Sequence, residues 1–195
     1  MTPPTDVARR AGGGRVRRII FTREQIARRV GELGDEISAC YDPREELLVL
    51  GLLKGSFMFV ADLVRRIHHP VQVDFIVTSS YGSGMVSSGD VQLLYDPEVS
   101  LGGRHVILVD DIIDSGRTMA SLVPIIQARG PASLELCTFL HKRRDGVAHE
   151  PRWVGFDAPP EFVVGYGLDY SENFRHLPYV ASIREHGPVV PEYSE

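Results

Sequence analysis

Apolar and polar positions along this chain follow two rhythms that take turns. Ile26, Val30, Leu33 and Ile37 recur at helical spacing behind Thr22 and Gln25, a capping-box pair, so a first helix is expected there. The continuous apolar run Leu47 to Leu52 reads as a buried strand, and the segment from about Phe57 to His68 as a helix. Val71, Val73, Phe75 and Val77 recur at every second position up to Thr78, the period of a strand with one buried face. Val106 to Val109 reads as a short buried strand, Met119 to Arg129 as a helix stopped by Gly130 and Pro131, and Ser133 to Leu140 as another strand. This alternation predicts an α/β fold, a mostly parallel twisted sheet flanked by helices, with ligands at the carboxyl ends of its strands.

Outside the rhythm lie three segments. Residues 1–17 hold Pro3, Pro4, the run Gly12 to Gly14 and several arginines, and are expected as a disordered tail; 187–195 are expected as a second tail, leaving one domain over 18–186. Ser79 to Asp90 is rich in glycine and serine, the composition of a mobile loop. The 195 residues, 43% of them hydrophobic, are enough for one full core. A net charge of -5 gives no encouragement to nucleic acid or an anionic membrane, so an anionic substrate needs a local positive site. No apolar run approaches the roughly 18 residues of a spanning helix and no signal-peptide pattern opens the chain, so a cytoplasmic location is expected. Cys40 and Cys137 lack metal-ligand spacing and are expected as free, buried thiols; the seven histidines show no metal pattern either.

Candidate chemistry concentrates in one place. Val106 to Val109 runs into Asp110, Asp111, Ile112, Ile113, Asp114, Ser115, Gly116, Arg117 and Thr118, with a helix expected from about Thr118 or Met119. The second half of that stretch is rich in backbone and hydroxyl donors at a helix N-terminus, where orphan amides attract a phosphate. Asp110 and Asp111 can accept from sugar hydroxyls or organise magnesium and its waters. A capping pair in an ordinary turn is the plainer alternative, but three acids in five positions after an apolar strand and before Ser-Gly-x-Thr go beyond it. The Gly-Lys-Ser/Thr of a P-loop and the Gly-x-Gly-x-x-Gly of a dinucleotide fold are both missing.

This stretch resembles the 5-phosphoribosyl-1-pyrophosphate (PRPP) signature of the type I phosphoribosyltransferases. Leu53-Lys54-Gly55-Ser56, Ser80-Tyr81-Gly82, Leu140-His141-Lys142-Arg143 and Phe162 to Tyr170 extend the resemblance, in order, to the hypoxanthine-guanine branch, over about Phe21 to Ile183. The resemblance implies a magnesium-dependent transfer of the phosphoribosyl group from PRPP to a 6-oxopurine. It also implies a small hood region beside the sheet, a mobile active-site loop, and a homodimer or homotetramer.

Roles follow from the resemblance. Asp110 and Asp111 lie near ribose and magnesium, and Asp169 near a second ion. Asp114 is the general base, and Ser115 to Thr118 hold the 5-phosphate. Lys54, Gly55 and Arg175 face pyrophosphate, with the Lys54–Gly55 peptide able to be cis. Lys142 meets the oxygen at purine C6, Phe162 stacks on the base, Val163 reads its edge through the backbone, and Ser80-Tyr81 close over the site. The family often has glutamate where Asp110 stands, one methylene longer. Two other readings stay open at this point: a nucleotide-sensing regulator of the same fold that binds RNA or DNA, and a transferase preferring xanthine or a pyrimidine.

Overall fold

In the computed structural model, which describes residues 16–79, 92–144 and 146–183, the chain falls into two compact units, 24–158 and 16–23 with 159–183. The larger unit is built on a six-stranded sheet. Its strands are β2 (Leu47–Leu53), β3 (Val71–Ser79), β4 (Gln92–Tyr95), β5 (His105–Ile113), β6 (Ser133–His141) and β7 (Trp153–Asp157), in the spatial order β4-β3-β2-β5-β6-β7. All neighbours are parallel except the edge pair β3 and β4. The predicted α/β class with a mostly parallel sheet is what the chain adopts.

Burial explains each element. Helix α1 (Arg23–Ser38) buries Ile26, Val30, Leu33 and Ile37, the four positions its period marks. Helix α3 (Arg117–Gln127) lays Met119, Leu122, Val123 and Ile126 on one sheet face, against Leu48, Leu50, Val106, Leu108 and Leu136. Helix α2 (Phe57–Val64) belongs to the opposite face, where Phe59 stacks obliquely on Phe139 at 5.5 Å and Val60 flanks Gly51 of β2. Helices on both faces are what a parallel sheet requires.

Several sequence expectations are corrected. Helix α2 ends at Val64 rather than His68, because the Arg66 amide turns back onto the Leu63 carbonyl. In β3 the fully buried residue is Ile76, while Val73 is exposed, the reverse of the face the alternation suggests. Strand β5 runs on through Ile113 instead of stopping at Val109, since β6 keeps pairing with it, Asp110 opposite Thr138 and Ile112 opposite Leu140. Cys137 is buried and burial raises its thiol pKa, but Cys40 is exposed at the end of α1, where its Sγ donates to the Glu36 carbonyl.

The smaller unit is a three-stranded antiparallel sheet, β1 (Val16–Phe21), β9 (Val180–Ile183) and β8 (Val163–Val164), in that order. Val164, Phe174, Leu177, Tyr179, Ala181 and Ile183 form its core. Strand β1 opens inside the segment expected as a tail, because Val16 pairs with Ile183. Ser80, Tyr81 and most of the Gly/Ser-rich loop lie outside the described residues, as do 1–15 and 184–195.

Candidate active site

In the larger unit, β2 leads through α2 to β3 on one side, whereas β5 leads through α3 to β6 on the other. The direction of winding therefore reverses between β2 and β5, and the loops after these two strands part to leave a crevice at their carboxyl ends. Lys54-Gly55-Ser56 comes from one side of it and Asp110 to Thr118 from the other. The two meet directly, because a Cβ on Gly55 would overlap the Asp111 carboxylate. Only glycine lets that backbone come so close to the acid.

The peptide at this turn is a correction. The cis bond is Leu53–Lys54, one peptide before the Lys54–Gly55 bond expected to be able to adopt it. The Lys54 carbonyl is occupied by the turn into α2, accepting from the Phe57 amide at 3.4 Å. Behind it the Ser56 hydroxyl is buried and donates to the Leu52 carbonyl at 2.7 Å, tying the loop to its own strand.

Asp110 and Asp111 stand on the last turns of β5's pleat and face opposite ways. Asp110 is buried, one oxygen accepting from the Asp111 amide at 2.9 Å; Asp111 in turn accepts from the Ile112 amide at 3.0 Å. Burial, and then the adjacent Asp111 carboxylate, push Asp110 well above the ordinary carboxylate range. Two crowded carboxylates favour a cation, and magnesium is commonly held by one or two carboxylates with substrate oxygens and water. Asp110 and Asp111 supply carboxylates of that kind, and among the described residues no group of three or more His, Cys, Asp or Glu that could hold a metal is found.

Gly116 is the N-cap of α3, with φ of 70°, and its side-chain-free position leaves the first-turn amides open beside Ser115 and Thr118. No side chain caps this helix, so Asp114 does not act as its cap. Instead Asp114 pairs with cations from the segment after β6: Lys142 Nζ donates to its Oδ2 at 2.8 Å, and Arg144 Nη2 lies 2.6 Å from its Oδ1. The Lys142 amide also bonds the Ile113 carbonyl at 2.9 Å, which locks the end of β6 beside the end of β5. Arg143, between the two, turns the other way to Asp157 at 2.7 Å, as the two-residue period of an extended chain demands.

In the smaller unit, Phe162 is exposed and meets the Tyr170 ring edge-on at 5.6 Å, while Val163 is buried in β8. Asp169 sits between two tight backbone bridges, Gly165 with Leu168 and Tyr170 with Asn173. Tyr166, Ser171, Glu172 and Phe174 all have positive φ there, an uncommon concentration of left-handed residues that lack glycine's freedom. Arg175 is held within this loop by Asp169 at 2.8 Å, by the Gly167 carbonyl at 2.9 Å and by Glu172 at 3.3 Å. Sequence reasoning missed Arg144 and Glu172 as partners of Asp114 and Arg175. The alternation of Lys142 and Arg144 about Arg143 was the available signal for the first; the second depends on left-handed turns that the sequence does not mark.

The chain as a whole is similar to known proteins of one family. The family model described as a phosphoribosyl transferase domain matches residues 18–171. A hypoxanthine phosphoribosyltransferase of Haemophilus influenzae is 44% identical over 168 residues, covering 85% of this chain and 94% of that protein. A hypoxanthine-guanine phosphoribosyltransferase of Dictyostelium discoideum is 41% identical over 173 residues, with 87% and 96% covered. The crystal structure of a hypoxanthine-guanine phosphoribosyltransferase from Bacillus anthracis superimposes with a TM-score of 0.81 at 40% identity, covering 87% of this chain and 98% of that one.

Proposed function

The chain belongs to the phosphoribosyl transferase family, and from that premise we propose that it is a purine-salvage enzyme that transfers the 5-phosphoribosyl group of PRPP to hypoxanthine and/or guanine, releasing pyrophosphate. The observation that carries the choice of base is Lys142 Nζ lying 2.8 Å from Asp114 Oδ2. A donor-only ammonium beside an acceptor-only carboxylate matches the adjoining O6 and N7–H of a 6-oxopurine, whereas the amino group of adenine would set donor against donor. A site built on such a contact rejects the mismatched base by as much as about 10⁴ to 10⁵.

Each remaining role rests on the chemistry of the group concerned. Asp114 takes the ring proton as the base gains positive character. The backbone and hydroxyls of Ser115 to Thr118 bind the 5-phosphate, and Asp110 and Asp111, followed by Ile112 and Ile113, lie along the ribose. Magnesium, when bound near Asp110 and Asp111 and near Asp169, neutralises the charge of the leaving pyrophosphate. The backbone at Lys54 and Gly55 and the guanidinium of Arg175 orient that pyrophosphate. Phe162 offers an aromatic face for the base, and Val163 a backbone group for its edge.

The chain acts in this reading as a homodimer or homotetramer. Among the described residues no helix is long and apolar enough to cross a membrane. A regulator using a basic face for nucleic acid draws no support from the charges, since Arg18, Arg29, Arg104, Arg129 and Arg152 are all paired with acids. The test is to supply PRPP, magnesium and one base at a time and to identify the nucleotide formed. Inosine or guanosine monophosphate is expected; product only from adenine or a pyrimidine would overturn the reading.

A further inference from the structure

In the free protein both oxygens of Asp114 are engaged, yet the proposed reaction needs one of them to accept a proton. The two engagements differ in kind. Lys142 makes an aligned hydrogen bond to Oδ2. Arg144 touches Oδ1 at 2.6 Å, but its N–H groups do not line up on that oxygen, and the contact is ionic only. Oδ1 is also sealed from solvent, although the residue as a whole is partly exposed. A shielded carboxylate oxygen needs a donor at all times, because leaving it without one carries a desolvation penalty.

We propose that Arg144 is a placeholder for the incoming base: its guanidinium covers Asp114 Oδ1 while the site is empty and gives that oxygen up to a ring N–H when the base arrives. The inference rests on Asp114 being the general base. Three features suit Arg144 to it. A guanidinium only donates, as the ring N–H does toward a carboxylate. Arg144 is more than half exposed, at 56%, and exposed ion pairs are weak enough to exchange readily. Its segment is anchored without it, through Lys142 on Ile113 and through Val147, whose Cγ1 packs where a side chain on Gly116 would begin, so Arg144 can swing away while the chain on either side stays in place. Lys142, keeping Oδ2, remains beside the vacated oxygen to meet the O6 of the same base.

The experiment compares Arg144→Ala and Arg144→Gln with the wild type in two readouts, the KM for hypoxanthine and the calorimetric Kd for 9-deazainosine monophosphate, a nucleotide that keeps a hydrogen on N7. Removing a weak competitor is expected to lower both constants about two- to fivefold, while Arg144→Lys stays near the wild type. In an Asp114→Asn background, where the ion pair no longer exists, Arg144→Ala is expected to leave the nucleotide Kd unchanged. Constants that do not fall, or a kcat that falls at unchanged KM, would overturn the placeholder, and so would an equal Kd change in the Asp114→Asn background. Failure of the underlying reading looks different: Asp114→Asn would then turn over like the wild type, whatever Arg144 does.

Discussion

Asp110 is buried with one oxygen on the Asp111 amide, so its ionised form is opposed first by desolvation and then by the neighbouring carboxylate. For an acid whose folded pKa is raised, the stabilising contribution is complete below the unfolded value of about 3.9 and is lost as pH rises through the folded one. At neutral pH an ionised Asp110 therefore works against the fold. Asp110→Asn keeps the shape and removes the titration, so the metal-free protein at pH 7 is expected to melt at a higher temperature than the wild type. Calorimetry in chelator should show that gain shrinking toward zero near pH 4, about where the unfolded carboxyl titrates; equal melting at pH 7 would contradict the account. Asp114 answers to a kinetic measurement instead. Asp114→Asn is expected to lose about 10² to 10⁴ in kcat while PRPP binding, read by calorimetry, is largely kept. Unchanged turnover would remove Asp114 from proton transfer, and the absence of any side-chain cap on α3 already removes the capping role that competed with it.

At the scale of the element, the phosphate loop and the segment after β6 behave as one piece, since Val147 packs on Gly116 while Lys142 and Arg144 hold Asp114. Gly116→Ala puts a Cβ 2.8 Å from Val147 Cγ1 on a backbone with φ of 70°. The left-handed backbone alone costs about 1–2 kcal/mol for a residue other than glycine. Chemical denaturation should show at least that loss, with weaker PRPP binding, and Val147→Ala should return only the steric part of it. If Val147→Ala restores full stability, the backbone contribution is wrong. The same pairing of elements marks what the sequence made legible. The period of α1 named four of its five buried positions, missing only Gly34, and the acids of β5 stood out at once. Strand β5 nevertheless read as ending at Val109, because the apolar run breaks at Asp110, whereas the strand itself is continued by its ladder to β6, a long-range partner. Strands β8 and β9 are two and four residues long and find each other and β1 only across the chain, so no local period announces them.

Across the molecule, one surface of the larger unit is less polar than a solvated face should be. Helix α2 reads Phe-Met-Phe-Val-Ala-Asp-Leu-Val, apolar on every side but one position, the pattern of a buried helix, yet Phe57 and Ala61 are exposed. Beside it the α2-facing side of β3 and β4 leaves Val73 and Tyr95 each 41% exposed. A sheet face at the rim of a parallel α/β layer is normally covered, and the expected cover is a second copy of the chain in the proposed homo-oligomer. The border suits a twofold arrangement, because Asp62 on this helix pairs with Arg65 at its C-cap, so facing copies present an acid to a base. The double variant Phe57→Glu, Val73→Glu places charges in the middle of that contact and should halve the sedimenting mass while the circular dichroism spectrum stays that of the folded protein. Sedimentation equilibrium decides it: a monomeric wild type, or a variant that keeps the wild-type mass, would mean that copies of this chain do not meet through α2 and β3.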